Sequence, residues 1–271
     1  MTTADWTLLL CVPLLPLAGY ALQIFLGRRL PGKGAPILVG AMGLAALIAI
    51  VQGFRFIGGD VGDLRGSADA GLAWNFLWTE ATPGTPNVAF GLLYDNLSAI
   101  MLAAVAPICF LIHLYSVGYM HGDRRYHVYF ANISLFTAGM LGLILSDNFL
   151  SFFICWELMG FCSYSLIGHF HDKPSAAAAC KKAFLTTRVG DVCLFLGVAT
   201  LFSHYDTVAF SALFAGVQET LASTGGEYPG WLVAAGLLIF MGAVGKSAQF
   251  PLHIWLPDAM EGPTPVSAMI H

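Results

Sequence analysis

The feature that most constrains this chain is a set of apolar stretches, each about twenty residues long and nearly free of charge, at about 7–27, 35–55, 95–119, 128–147, 149–168, 179–203 and 231–250. An apolar helix of about 20 residues crosses the roughly 30 Å of a bilayer's hydrocarbon. Inside that hydrocarbon only a helix or a closed barrel satisfies its own backbone. A further helix opens near Thr264. Composition agrees: 57% of residues are apolar and 10% are charged, against about 25% charged in soluble domains. The expected fold is an all-α polytopic transmembrane bundle of about seven or eight helices, one of them broken. Asp5 precedes the first apolar run and no basic segment does, so a cleaved signal peptide is not expected.

Basic residues are distributed unevenly between the turns. One set of turns carries Arg28, Arg29, Lys33, Arg124, Arg125, Lys173, Lys181 and Lys182, whereas the alternate set carries Arg55 and Arg65. Such asymmetry predicts that the first set faces the cytoplasm and that the N-terminus lies outside. Between the second and third spans, the aromatic-rich runs "AWNFLWTE" and "NVAFGLLYD" flank "ATPGTP", a pattern that predicts a short external β-hairpin. The chain is therefore read as residues 1–94, two helices plus this hairpin, followed by a helical bundle over 95–271. The six cysteines include no C-x-x-C pair and lie mostly in apolar runs, where they read as small packing residues.

Four ionisable residues fall at membrane depth: Glu157, Arg188, Asp191 and Lys246. Each costs about 2.5–3.5 kcal/mol on insertion scales unless it faces a polar interior. Arg188 and Asp191, three residues apart, can pair on one helix face, and pairing that merely bolts helices together would account for those two. Glu157 and Lys246 are single opposite charges on separate helices, a costly way to achieve packing. Burial favours a neutral lysine and a nearby carboxylate favours a charged one, so the residues predict that Glu157 loads and unloads a proton on Lys246. Directly after Lys246, Pro251 and Pro257 deny the helix a regular continuation. Broken backbone at membrane depth must be satisfied by protein or by a wet cavity, and discontinuous helices carry ion sites in transporters. The segment "QFPLHIWLPDAMEGPTP" is thus expected to line a hydrated path. His253 and His271 are candidate proton carriers, because imidazole titrates near neutral pH, although a lone histidine near the inner surface, such as His253, is more often simply hydrogen-bonded.

Two tempting motifs fail. "GAVGKS" lacks the first glycine of a phosphate-binding loop, since Phe240 stands five before Gly245. "HFHDK", with His169 and His171, lacks further obvious metal ligands.

Three stretches, "WELMGFCSYSLIG", "KPSAAAACKKAFLTTRVGD" and "GKSAQFPLHIWLPDAMEGPTPVSAMIH", closely resemble the antiporter-like subunits of respiratory complex I, the proton-translocating NADH-quinone oxidoreductase, and subunit L in particular. The resemblance runs from the first helix onward and is densest from Asp95 to His271. It implies a subunit that binds no cofactor itself and conducts protons driven by NADH, FMN, iron-sulfur clusters and quinone held in partner subunits. It assigns Glu157 to the glutamate of the family's WELMG motif, Lys246 to its partner lysine, Arg188 and Asp191 to the neighbouring pair, and His271 to the histidine that passes protons onward. Other membrane-arm subunits and the bacterial plasma membrane are the implied surroundings. Members of the family continue through a second inverted repeat and a long lateral helix, so the chain is expected to be a fragment or a split gene product. A homologous subunit of a sodium/proton antiporter, a membrane-bound hydrogenase or an inorganic-carbon uptake complex would share these charges, and a non-conducting scaffold remains the alternative of another class.

Overall fold

The computed structural model describes residues 3–57 and 91–271. The expected β-hairpin falls almost wholly outside them. Among the described residues there are nine α-helices: α1 (Thr3–Leu26), α2 (Ala35–Ile57), α3 (Asn96–Tyr119), α4 (Tyr126–Ile144), α5 (Phe149–Ile167), α6 (Pro174–Tyr205), α7 (Phe210–Ser223), α8 (Gly230–Lys246) and α9 (Thr264–Ile270). Six apolar helical segments, containing α1 to α6, are long enough to cross a membrane, and α8 is a shorter apolar helix of 17 residues. The chain is a polytopic helical bundle.

At the centre stands α4, whose residues Tyr129 to Gly139 are all buried. A helix that is apolar on every side is stable only when neighbours surround it, and α1, α3 and α5 pack around this one. Separately, α2 packs on α3 and α8 on α6. The last contact is close enough that a Cβ on Gly190 would lie 2.7 Å from the Met241 carbonyl oxygen, so glycine there brings two backbones together as in membrane helix pairs generally.

The helix α7 was not expected, because its 14 residues are too short to span and contain Glu219. Its apolar residues nevertheless recur at helical spacing. Leu213 and Val217 join Leu201, Tyr205, Leu232 and Ala235 in a small core, so α7 packs against the end of α6 and the start of α8.

The turn between α4 and α5 is gripped from both sides. Leu93 donates to the Leu145 carbonyl and Phe149 to the Val208 carbonyl, each at 2.9 Å. Asn148 caps α5 by accepting from the Ser151 amide at 2.8 Å, which fixes where Glu157 falls along the span.

The seventh span ends four residues earlier than expected, at Lys246. Gln249 donates to the Val244 carbonyl at 3.0 Å across Ala248, which takes the left-handed conformation with φ 51°. This is the closing bond of a Schellman turn. Turns and one 3-10 segment (Asp258–Glu261) then lead to α9, and Lys182 ties that segment to α6 through a 2.7 Å contact with Asp258.

Candidate functional site

The broken end of α8 leaves carbonyls that must be satisfied inside protein. Ser247 donates to Ala243 at 2.8 Å, Gln249 to Val244, and the buried Trp255 indole to Gly245 at 3.0 Å. Trp255 thus folds back from the interruption to seal it. Lys246 is left at the negative end of the α8 dipole, where a cation is stabilised.

Three helices converge on Lys246 and arrange the four charges in a row. Glu157 on α5 pairs with Arg188 on α6. Arg188 Nη1 also lies 3.8 Å from Asp191 Oδ2, and the same oxygen lies 3.5 Å from Lys246 Nζ on α8. The expected Arg188–Asp191 proximity is therefore present, but the carboxylate against Lys246 is Asp191. Glu157 makes no ion pair with the lysine, and the contacts that link the two run through Arg188 and Asp191. The reason is geometric: Gly190 draws α8 onto the face of α6 that carries Asp191.

Asp191 is the most enclosed of the four, with its side chain 2% exposed against 22–29% for the others. Its Oδ1 accepts a 2.6 Å hydrogen bond from the Trp156 indole. Its Oδ2 has no hydrogen-bond partner among the described residues and stands between two cations. The Trp156 ring lies 5.5 Å from Lys246 Nζ, within reach of a cation–π attraction, and Phe184 stacks similarly on Arg188 at 4.4 Å. Gly160, one turn after Glu157, makes room: a Cβ there would meet Lys246 Nζ at 2.8 Å.

Lys246 opens onto a cavity of about 200 Å³ shared with Trp156, Ser163, Thr187 and Trp255. That is room for several water molecules; the lining is mainly apolar, and Ser163, Tyr164, Thr187 and Lys246 are polar side chains within it. His271 is not brought to Lys246. Its ring sits 5.8 Å from that of Trp255, and it does not line the cavity. His253 is exposed on the interruption, 5.8 Å from the Phe250 ring, away from the charged row.

Trp156, Gly160 and Trp255 were not singled out by sequence reasoning. A tryptophan well inside a span, away from the interfacial belts, needs a partner for its indole N–H. That signal was available for Trp156.

Fold and site together define a polytopic helical membrane protein whose interior carries a row of four alternating charges. Residues 146–271 match a family model described as the transmembrane region of NADH:quinone oxidoreductases and Mrp antiporters. Residues 78–130 match one for the N-terminus of complex I chain 5. The chain belongs to this antiporter-like family of membrane subunits. It is 43% identical over 276 residues to F(420)H(2) dehydrogenase subunit L of Methanosarcina mazei, a match covering 96% of this chain and 39% of the relative. It is 38% identical over 274 residues to NADH-quinone oxidoreductase subunit L of Neisseria meningitidis, covering 98% and 39%. The chain thus spans about two fifths of these relatives' length. Among solved structures, the Mrp complex from Dietzia sp. matches with a TM-score of 0.77 at 27% identity, covering 98% of this chain and 26% of that one. An archaeal membrane-bound sulfane sulfur reductase shares the fold, with a TM-score of 0.76 at 21% identity over 96% of this chain and 49% of that one.

Proposed function

We propose that this chain is a proton-conducting membrane subunit of a complex I-type NADH-quinone oxidoreductase, in which Lys246 is alternately loaded and unloaded. The observation that carries the proposal is the row Glu157, Arg188, Asp191, Lys246 at membrane depth, ending on a cavity. Charges of this cost persist where they serve an ion path.

Arg188 is the movable member. While it leans on Glu157, Asp191 is free to hold a proton on Lys246. If Glu157 is neutralised or drawn away, Arg188 turns to Asp191, the lysine loses its counter-charge, and its proton passes into the cavity. Trp156 holds Asp191 in place throughout, so only the shared oxygen changes partner. His271, beyond Trp255, is the next acceptor along the interruption. The driving redox chemistry belongs to partner subunits that carry NADH, FMN, iron-sulfur clusters and quinone, with other antiporter-like subunits alongside. The surroundings are a bacterial plasma membrane, with the N-terminus outside and the basic turns in the cytoplasm.

The family includes subunits whose assemblies take other electron donors, and the 43% identity to an F(420)H(2) dehydrogenase subunit favours keeping that variant as the second reading. The proton path would be the same in either. Lys246→Ala in the intact assembly, reconstituted into liposomes, tests the shared proposal: proton uptake falls while the subunits still co-purify. Unchanged uptake with normal assembly would make the charges a scaffold. An NADH-oxidising arm in the co-purified material selects between the two donors.

A further inference from the structure

The end of the bundle that carries the basic turns contains a second built feature, remote from the charged row. The end of α1, the turn between α3 and α4, and the turn between α5 and α6 enclose an open cavity of about 540 Å³. Four cations line it, Arg28, Arg124, Arg125 and Lys173, against the carboxylates Asp123 and Asp172. Three separate turns therefore contribute to a single positive concavity.

Three of these cations, Arg28, Arg125 and Lys173, are oriented without meeting a carboxylate among the described residues. Arg28 Nε donates to His127 Nε2 at 3.1 Å, and Arg125 Nη1 donates to His171 Nδ1 at 2.6 Å and to the His169 carbonyl at 3.0 Å. These contacts orient the guanidiniums through ring nitrogens and a carbonyl, not through a carboxylate. Lys173 rests over the Phe170 ring at 5.3 Å. Among the described residues none of the four meets a carboxylate. Asp123 accepts from His169 Nε2 at 3.2 Å and from the Arg125 amide at 2.6 Å, whereas the exposed Asp172 lies 3.8 Å from His171 Nε2, and the four cations outnumber these two carboxylates. Positioned guanidiniums lacking an anion are suited to a phosphate oxygen cluster.

The location decides what bears the phosphate. The cavity opens where α1 ends and α4 begins, at the level where the apolar spans stop. On α1, Leu14, Leu17, Ala21 and Ile24 are exposed at three- and four-residue spacing, so they form an apolar strip along the helix leading away from the cavity, and Phe25 beside its end is 82% exposed. A positive pocket at the membrane surface beside an apolar strip fits a headgroup with its acyl chains.

We infer that this cavity binds the phosphodiester headgroup of an anionic membrane lipid, with the acyl chains lying along the end of α1. The test titrates spin-labelled phosphatidylglycerol into the delipidated, intact assembly, comparing wild type with Arg28→Gln/Arg124→Gln. Each basic residue contributes about a fivefold factor to anionic lipid attraction, so the pair weakens one class of site about 25-fold. Lys181→Gln, which removes a cation on another face, leaves that class intact. Wild-type affinity in the double variant, or equal binding of phosphatidylcholine, overturns the inference. Displacement of the lipid by millimolar inorganic phosphate also overturns it and makes the cavity a soluble-anion site. Should the double variant fail to assemble, the salt dependence of wild-type binding decides: loss of this class between low and high salt supports the inference, and indifference to salt contradicts it.

Discussion

Asp191 Oδ2 lies 3.5 Å from Lys246 Nζ and 3.8 Å from Arg188 Nη1, so one buried carboxylate oxygen serves two cations on two helices. Moving either cation changes the electrostatic environment of the other. This sharing links Glu157, which touches Arg188 alone of the two, to a lysine it does not meet.

Asp191→Asn preserves shape and keeps an acceptor for the Trp156 indole, but leaves Lys246 and Arg188 as unneutralised neighbours. Breaking a buried pair from one side costs about 3–5 kcal/mol when the charge must remain. Lys246 can relieve most of that by releasing its proton. The expected outcome is normal assembly with lost proton translocation, measured by dye quenching in liposomes alongside subunit stoichiometry.

Trp156→Phe keeps the ring beneath Lys246 and removes the 2.6 Å hydrogen bond to Asp191. A buried acceptor stripped of its donor costs about 1–3 kcal/mol. A drop of that size in detergent thermal unfolding is expected, together with slower translocation because Asp191 is no longer held.

Gly160→Ala separates function from folding. Alanine is about 1 kcal/mol better than glycine within a helix, and the atom it meets, Lys246 Nζ at 2.8 Å, is the end of a flexible chain. Unfolding temperature should hold or rise. Proton flux should nonetheless fall on the order of tenfold or more, because the displaced amine no longer lies against Asp191.

Ala248→Gly relieves the left-handed residue that closes α8. A non-glycine residue in that conformation costs about 1–2 kcal/mol, and the closing bond from Gln249 to Val244 is retained. Thermal unfolding should shift upward with translocation unchanged. A lower transition would mean that Ala248 contributes packing that outweighs its backbone.

Much of the architecture was legible because a bilayer leaves few solutions for a charge-poor chain. The first six spans recur within a few residues of where apolar length alone put them. The end of α8 was missed by four residues because Ser247, Ala248 and Gln249 are chemically compatible with a helix. Pro251 announced the break, but where it falls is set by the left-handed Ala248, which is visible only in the backbone. The surface helix α7 escaped notice because a search for membrane-length runs passes over a 14-residue amphipathic segment, although Leu213 and Val217 carried its period. At the site, the four charged residues were identifiable from their cost in an apolar span, but their pairing was not. Which carboxylate meets Lys246 depends on the rotation of α6 against α8, which is set by glycine contacts such as that of Gly190. Trp255 sealing the Gly245 carbonyl likewise depends on the path of the interruption, which no local pattern encodes.

The most direct test of the central claim is a double-mutant cycle on proton translocation by the reconstituted assembly, using Glu157→Gln and Lys246→Ala. These two residues make no ion pair with each other, and the contacts that join them run through Arg188 and Asp191. If the row acts as one unit, the double variant translocates about as well as the worse single variant, the non-additivity expected of groups that work together. Independent effects that multiply, or full translocation in both single variants with normal assembly, would contradict the account.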